Sequence, residues 1–102
     1  MISHVYIKNL SNHIGNSVTL KGWLFNKRSS GKVKFLILRD GSGYLQCIVF
    51  KGNVTEEVFQ LADSITQESS FEITGIVKSE PRAVGGFELD VTDLKLIGDS
   101  VD

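Results

Sequence analysis

Hydrophobic and polar positions alternate along most of this chain. From Ser17 to about Ser29, Val18, Leu20, Gly22 and Leu24 alternate with Thr19, Lys21, Trp23 and Phe25. A period of two marks a strand with one buried face, and Gly22 inside the run predicts a sharp bend, as at a barrel corner. Two shorter alternating runs, 33–39 and 44–50, flank Asp40-Gly41-Ser42-Gly43, a composition that predicts a hairpin. The period then changes. Val54, Val58, Leu61 and Ile65 recur at helical spacing, Asn53 or Thr55 is available as the N-cap, and Glu56 and Glu57 suit the positive end of a helix. Alternation returns over 70–79, where Phe71, Ile73, Gly75 and Val77 share a face, and over 87–97. In this last run the apolar parity moves from Phe87, Leu89 and Val91 to Leu94 and Leu96, which predicts a bulge near Thr92-Asp93. A short amphipathic turn or helix over 8–14, ended by Gly15, precedes the first strand, and Glu80 to Gly86 form a turn-rich loop.

Three strands, a helix and two strands make an all-β pattern. A five-stranded Greek-key barrel with a helix between strands 3 and 4 is the OB-fold. A ferredoxin-like fold would need a helix after the first strand, and 29–33 is too short to hold one. At 102 residues the chain fits one domain.

Composition changes this picture little. Apolar residues make up 41% and charged residues 23%, the balance of an ordinary globular domain. No apolar run approaches the ~20 residues of a membrane span, and Met1-Ile2-Ser3-His4 lacks the pattern of a secretory signal. Cys47 is the single cysteine, sits on the apolar parity of its strand and has no internal disulfide partner. A reducing, cytoplasmic setting is the expectation. A net charge of −1 argues against a generic nucleic-acid binder, which carries a large basic excess. Yet residues 21–39 hold Lys21, Lys27, Arg28, Lys32, Lys34 and Arg39 with no acid among them. Two readings are open: a solvated basic hairpin, or a groove that tracks phosphates.

The hairpin carries the candidate chemistry. Phe35 shares parity with Arg39, which belongs toward solvent, and Gln46 is on the solvent parity of the partner strand. With a loop at Asp40-Gly41, residue 35 pairs with 46; with a loop centred on Gly41-Ser42, it pairs with 48 and lies diagonal to Gln46. Either way Phe35 and Gln46 are cross-strand neighbours on one face. An exposed ring offers a surface on which an unpaired base stacks, and an amide offers a donor and an acceptor to the base edge. Lys27, Arg28, Lys32 and Lys34, at the adjoining strand ends and loop, are candidates for phosphate contacts. The competing reading makes Phe35 a core residue closing the barrel end.

The same residues carry a family resemblance. Gly22-Trp23, Arg28, Phe35, Arg39-Asp40-Gly41-Ser42-Gly43 and Gln46 resemble the N-terminal anticodon-binding domain of class II synthetases for asparagine, aspartate and lysine. Glu68-Ser69-Ser70, Gly75-Ile76-Val77 and Arg82 to Leu89 look most like the asparaginyl member. The resemblance implies that Phe35 stacks on the central anticodon base, a uridine, and that Gln46 reads it. Arg28 would contact the anticodon loop, and Glu88, with Glu80 and Arg82 nearby, would help read a flanking base. Two departures stand out. Aspartyl relatives often have an arginine run where this chain has Asn26-Lys27-Arg28, and a second aromatic where it has Ile48.

The resemblance further implies a tRNA anticodon stem-loop as partner, tRNA-Asn with anticodon GUU in particular, and no membrane. It gives residues 1–98 as the domain and 99–102 as the start of a linker to a catalytic domain. That part would use ATP and Mg in an asparagine–tRNA ligase, with no cofactor in the present domain, and the parent enzyme would be a homodimer. Alternatives are an aspartyl anticodon domain, a generic single-strand binder and a protein-interaction barrel. His4 and His13 lack metal-ligand company, Glu56-Glu57 are adjacent rather than opposed across a cleft, and no phosphate loop or nucleophile motif appears. The chain itself reads as non-catalytic, and Trp23 reads as a packing residue.

Overall fold

In a computed structural model, which describes residues 3–98, each alternating run becomes a strand. The elements are β1 (Ser3–His4), β2 (Ser17–Ser30), β3 (Val33–Arg39), β4 (Tyr44–Phe50), α1 (Glu56–Ser64), β5 (Ser70–Ser79) and β6 (Phe87–Gly98). Short 3-10 turns occupy Ile7–Asn12, Lys51–Asn53 and Val84–Gly86. Strand order is β1-β2-β3-β4-β6-β5, and β2 also pairs with β5, so β2 to β6 close a five-stranded barrel. The helix falls between the third and fourth barrel strands, as expected of an OB-fold. β1 adds two residues in parallel to β2 and was not legible in the sequence. The expected linker at 99–102, like Met1 and Ile2, lies outside the described residues.

β2 serves two neighbours. Its first half pairs with β5 and its second half with β3, and Trp23 faces both Ser70 and Arg39 where the pairing changes hands. Gly22 stands at that corner because a Cβ there would collide with the Arg39 carbonyl oxygen of β3. The pairing with β3 also slips between Leu24 and Asn26, leaving Phe25 as the extra residue of a bulge. In β6 the slip between Thr74 and Gly75 of its partner sets Val91 and Asp93 on either side of an unpaired Thr92, the bulge expected there. Gly75 has the same role as Gly22: a Cβ would run into the backbone of Asp90.

The core is the inward parity of each strand. Val18, Leu20, Leu24, Leu36, Leu38, Leu45, Cys47, Val49, Phe71, Ile73, Val77, Leu89, Val91 and Leu94 are all buried. Leu10 enters from the N-terminal 3-10 turn, while Val58, Phe59, Ala62 and Ile65 come from α1 and its C-cap. Thr55 is the N-cap of α1, its hydroxyl accepting from the Val58 backbone N–H at 3.2 Å. Two expectations need correction. Leu96 remains exposed on the part of β6 that pairs with β5 alone, beyond the end of its pairing with β4 at Asp90, and Trp23 is 42% exposed, its ring covered by Arg39 at 5.3 Å rather than by the core.

Candidate nucleic-acid interface

The β3–β4 hairpin pairs Arg39 with Tyr44, Ile37 with Gln46 and Phe35 with Ile48, around a four-residue loop. The second of the two registers is therefore the one adopted. Asp40 holds the loop: one oxygen accepts from the Ser42 N–H and hydroxyl, and the other from the Ile7 N–H at 2.8 Å. That last bond ties the hairpin tip to the N-terminal turn.

This register sets two rows across the outer face. One runs Arg28, Phe35, Ile48, Asp90; the other runs Asn26, Ile37, Gln46, Glu88, Lys78, one residue from each barrel strand. Phe35 and Gln46 are diagonal neighbours in adjacent rows. Phe35 is half-buried rather than fully open, and the Arg28 guanidinium lies 4.1 Å from its ring centroid, a cation–π contact. Gln46 donates from Nε2 to Glu88 Oε2 at 2.7 Å. Glu88 is buried to 9% exposure, and its other oxygen meets Lys78 Nζ at 3.6 Å; Lys78 also reaches Asp90 at 3.3 Å. Burial acts to lower the Lys78 pKa, but Asp90 first and then Glu88 outweigh it and raise the ammonium above its ordinary range.

Arg28, Ile37, Gln46, Glu80, Arg82, Ala83, Val84 and Glu88 together line a polar groove. The 80–86 loop forms its far wall, where Arg82 pairs with Glu80 at 3.4 Å. The hydrogen bond from Arg82 holds the Glu80 carboxyl below its usual range. An apolar cleft continues from this groove, sharing Ile37 and Val84 and adding Phe25, Asn26 and Tyr44. Phe25 and Tyr44 stand edge to face at 4.9 Å, each about two-fifths exposed. Alternation places Phe25 on the outward parity, but its contact with Tyr44 joins two strands that β3 separates in the sheet, and the sequence reading missed that pair.

Not every candidate joins the site. Arg28, Phe35, Gln46, Glu88 and Arg82 come together with Glu80, whereas Lys27 and Lys34 point to the other side of the hairpin. Lys34 forms an ion pair with Asp63 at 2.9 Å beneath α1, with only 12% of its side chain exposed, and lies 5.1 Å from the Phe59 ring centroid. Lys27 Nζ donates to the Asp63 carbonyl oxygen at the end of the helix. Parity could have shown this, because Lys34 alternates in phase with Leu36 and Leu38, the core positions. Lys32 is exposed in the β2–β3 turn, away from the groove lining. Cys47 is fully buried, and that burial pushes its thiol pKa up, away from the range of a reactive thiolate.

An outer face that pairs a guanidinium-covered ring with a fixed amide suits an unpaired base. Residues 18–97 match the tRNA anticodon family, an OB-fold nucleic acid binding domain. This chain belongs to that family. An asparagine–tRNA ligase from Pelotomaculum thermopropionicum is 55% identical over 93 residues, covering 91% of this chain and 22% of the relative. Among solved structures, asparaginyl-tRNA synthetase from Pyrococcus horikoshii, complexed with asparaginyl-adenylate, superposes with TM-score 0.87 at 38% identity. That match covers 94% of this chain and 22% of the other. Aspartyl-tRNA synthetase from Entamoeba histolytica superposes at 0.86 with 26% identity, covering 97% of this chain and 22% of its own. The chain thus spans about a fifth of the length of these relatives. It is an anticodon-binding OB domain of the asparaginyl-tRNA synthetase type.

Proposed function

We propose that this domain binds the anticodon loop of tRNA-Asn, anticodon GUU, and so presents that tRNA to an asparagine–tRNA ligase active site carried elsewhere in a longer protein. The observation that carries the reading is the Gln46–Glu88 pair set diagonally to the Arg28-covered Phe35 ring. The central uridine stacks on Phe35 and Gln46 meets its edge. Arg28 moves from the ring to a phosphate as the base arrives. The groove wall of Glu80, Arg82 and Glu88 faces the flanking base. Relatives at about half identity that are asparagine–tRNA ligases support asparagine over aspartate. In the same reading ATP and Mg serve the distant catalytic part, the parent enzyme is a cytoplasmic homodimer, and this domain needs no cofactor.

A second reading, an aspartate-specific anticodon domain, has the Entamoeba histolytica structure in its favour. A titration at fixed salt with seven-nucleotide hairpin loops carrying GUU, GUC, GAU and a scrambled sequence separates the possibilities. The proposal predicts the order GUU, GUC, then GAU and scramble. GUC ahead of GUU favours aspartate, and equal affinity for all four points to a generic single-strand binder.

A further inference from the structure

We propose, building on the anticodon reading above, that Lys78 is a positioning residue for base selection: it locks Glu88, and through Glu88 fixes which end of the Gln46 amide faces the groove. An amide side chain can present either its oxygen or its nitrogen to a ligand, and the two ends are close in shape. A free glutamine therefore accepts a base of either polarity by turning over. Gln46 is not free to do so. Its Nε2 donates to Glu88 Oε2 at 2.7 Å, and an ionised carboxylate only accepts, so the oxygen end of the amide cannot take that place. Oε1 is thereby left as the acceptor offered to the groove.

The lock depends on Glu88 remaining charged and still. Its two oxygens have separate partners, Oε2 on Gln46 and Oε1 on Lys78 Nζ at 3.6 Å, so the carboxylate is gripped at both ends. Lys78 is anchored in turn by Asp90 at 3.3 Å. Strand register puts the three side chains in one line, since Gln46 faces Glu88 across the parallel β4–β6 pair and Glu88 faces Lys78 across β5–β6. Glu88 is 9% exposed, which makes a carboxylate without a cation partner costly there.

A fixed outward acceptor has a selective consequence. Uracil carries a hydrogen on N3 and satisfies Oε1; cytosine carries a lone pair there and sets acceptor against acceptor. The discrimination arises from a repulsive arrangement as much as an attractive one. Lys78 touches no base. Its effect passes through Glu88 and Gln46.

The test uses two hairpin RNAs differing only in the central loop base, GUU and GCU, titrated at fixed salt with the wild-type chain and with Lys78→Met and Lys78→Arg. The wild type is expected to prefer uridine. Lys78→Met should reduce the uridine-to-cytidine preference by about two- to tenfold, the net worth of one positioning hydrogen bond. Its loss should come more from improved cytidine binding than from weakened uridine binding. Lys78→Arg, which keeps the charge, should restore the preference. Lys78→Met leaves the buried Glu88 without its cation and should melt somewhat below wild type, whereas Lys78→Arg should melt near it, so binding is compared at a temperature where all three chains are folded. A Lys78→Met chain with the full preference overturns the inference while leaving the anticodon reading intact. Equal binding of both RNAs by the wild type overturns that reading, and the inference with it.

Discussion

Replacing Phe35 by alanine separates the two roles a half-buried ring can have. A base stacked on an aromatic side chain is worth ~1–3 kcal/mol in single-strand binders. Here the ring is already covered by Arg28 at 4.1 Å, and a base that takes its place forfeits ~0.5–1 kcal/mol of cation–π attraction. The net loss in Phe35→Ala is then ~0.5–2 kcal/mol, a weakening of roughly two- to thirtyfold. Stability should fall too, since removing a fully buried Phe costs ~3–5 kcal/mol and this one is partly exposed, so about half of that is expected. For a domain of this size the midpoint should drop by roughly 10 °C, and the barrel should stay folded at room temperature. Phe35→Leu is the companion variant, as it keeps most of the apolar volume and loses the π-face. Fluorescence anisotropy with a labelled GUU hairpin, at fixed salt and 20 °C or below, reads the affinity, and a thermal melt reads the stability. Phe35→Leu should lose most of the affinity that Phe35→Ala loses while melting closer to wild type. Wild-type affinity in both variants would refute the stacking argument, and wild-type affinity in Phe35→Leu alone would make the ring a packing element.

Other perturbations test other links. Lys34→Ala should lower the melting temperature through loss of the Asp63 pair and the Phe59 contact yet leave hairpin affinity near wild type, whereas a large affinity loss at unchanged stability would put phosphate on the α1 side. Arg28→Ala should reduce the slope of log affinity against log salt by about one, as expected for a lost phosphate contact, and an unchanged slope would confine Arg28 to the ring. Gly75→Ala should destabilise the barrel by ~1–3 kcal/mol or more, because its Cβ meets the fixed Asp90 backbone; a melt within a degree of wild type would contradict the close approach. The Asp63 carboxyl is held below its ordinary pKa by the hydrogen bond and charge of Lys34, so its contribution is present above the unfolded-state value and is lost as pH falls through the folded-state value. Asp63→Asn should therefore be less stable than wild type at neutral pH and match it in strong acid, and a gap that widens on acidification would reverse the assignment.

Much of the barrel was legible because it is written in strand parity. The apolar sides of 17–24, 70–77 and 87–94 became the core, and the parity change in the last run located the Thr92 bulge. The hairpin register was left between two solutions; the loop adopted is held by Asp40, through Ser42 within the turn and through the Ile7 N–H 33 residues away, a contact that local pattern does not contain. Trp23 and Phe25 stand on the outward parity of β2 with Lys21 and stay exposed there, Trp23 against Arg39 and Phe25 against Tyr44, contacts between strands that a single strand's pattern does not contain. The basic run 21–39 read as one patch, but the bulge at Phe25 reverses the parity of β2 beyond it and splits the run: Arg28 joins Phe35 outside, and Lys27 and Lys34 go with Asp63 beneath the helix.

The most direct test of the central claim is where an RNA touches the domain. Adding a GUU hairpin to the isotopically labelled chain and following backbone and side-chain amide resonances by NMR would map it. The account predicts the largest changes at Arg28, Phe35, Gln46 and Glu88, with the Gln46 side-chain amide among them, and little change around Asp63 and α1. Changes centred on α1 and Lys34, with the Gln46 amide unmoved, would contradict it.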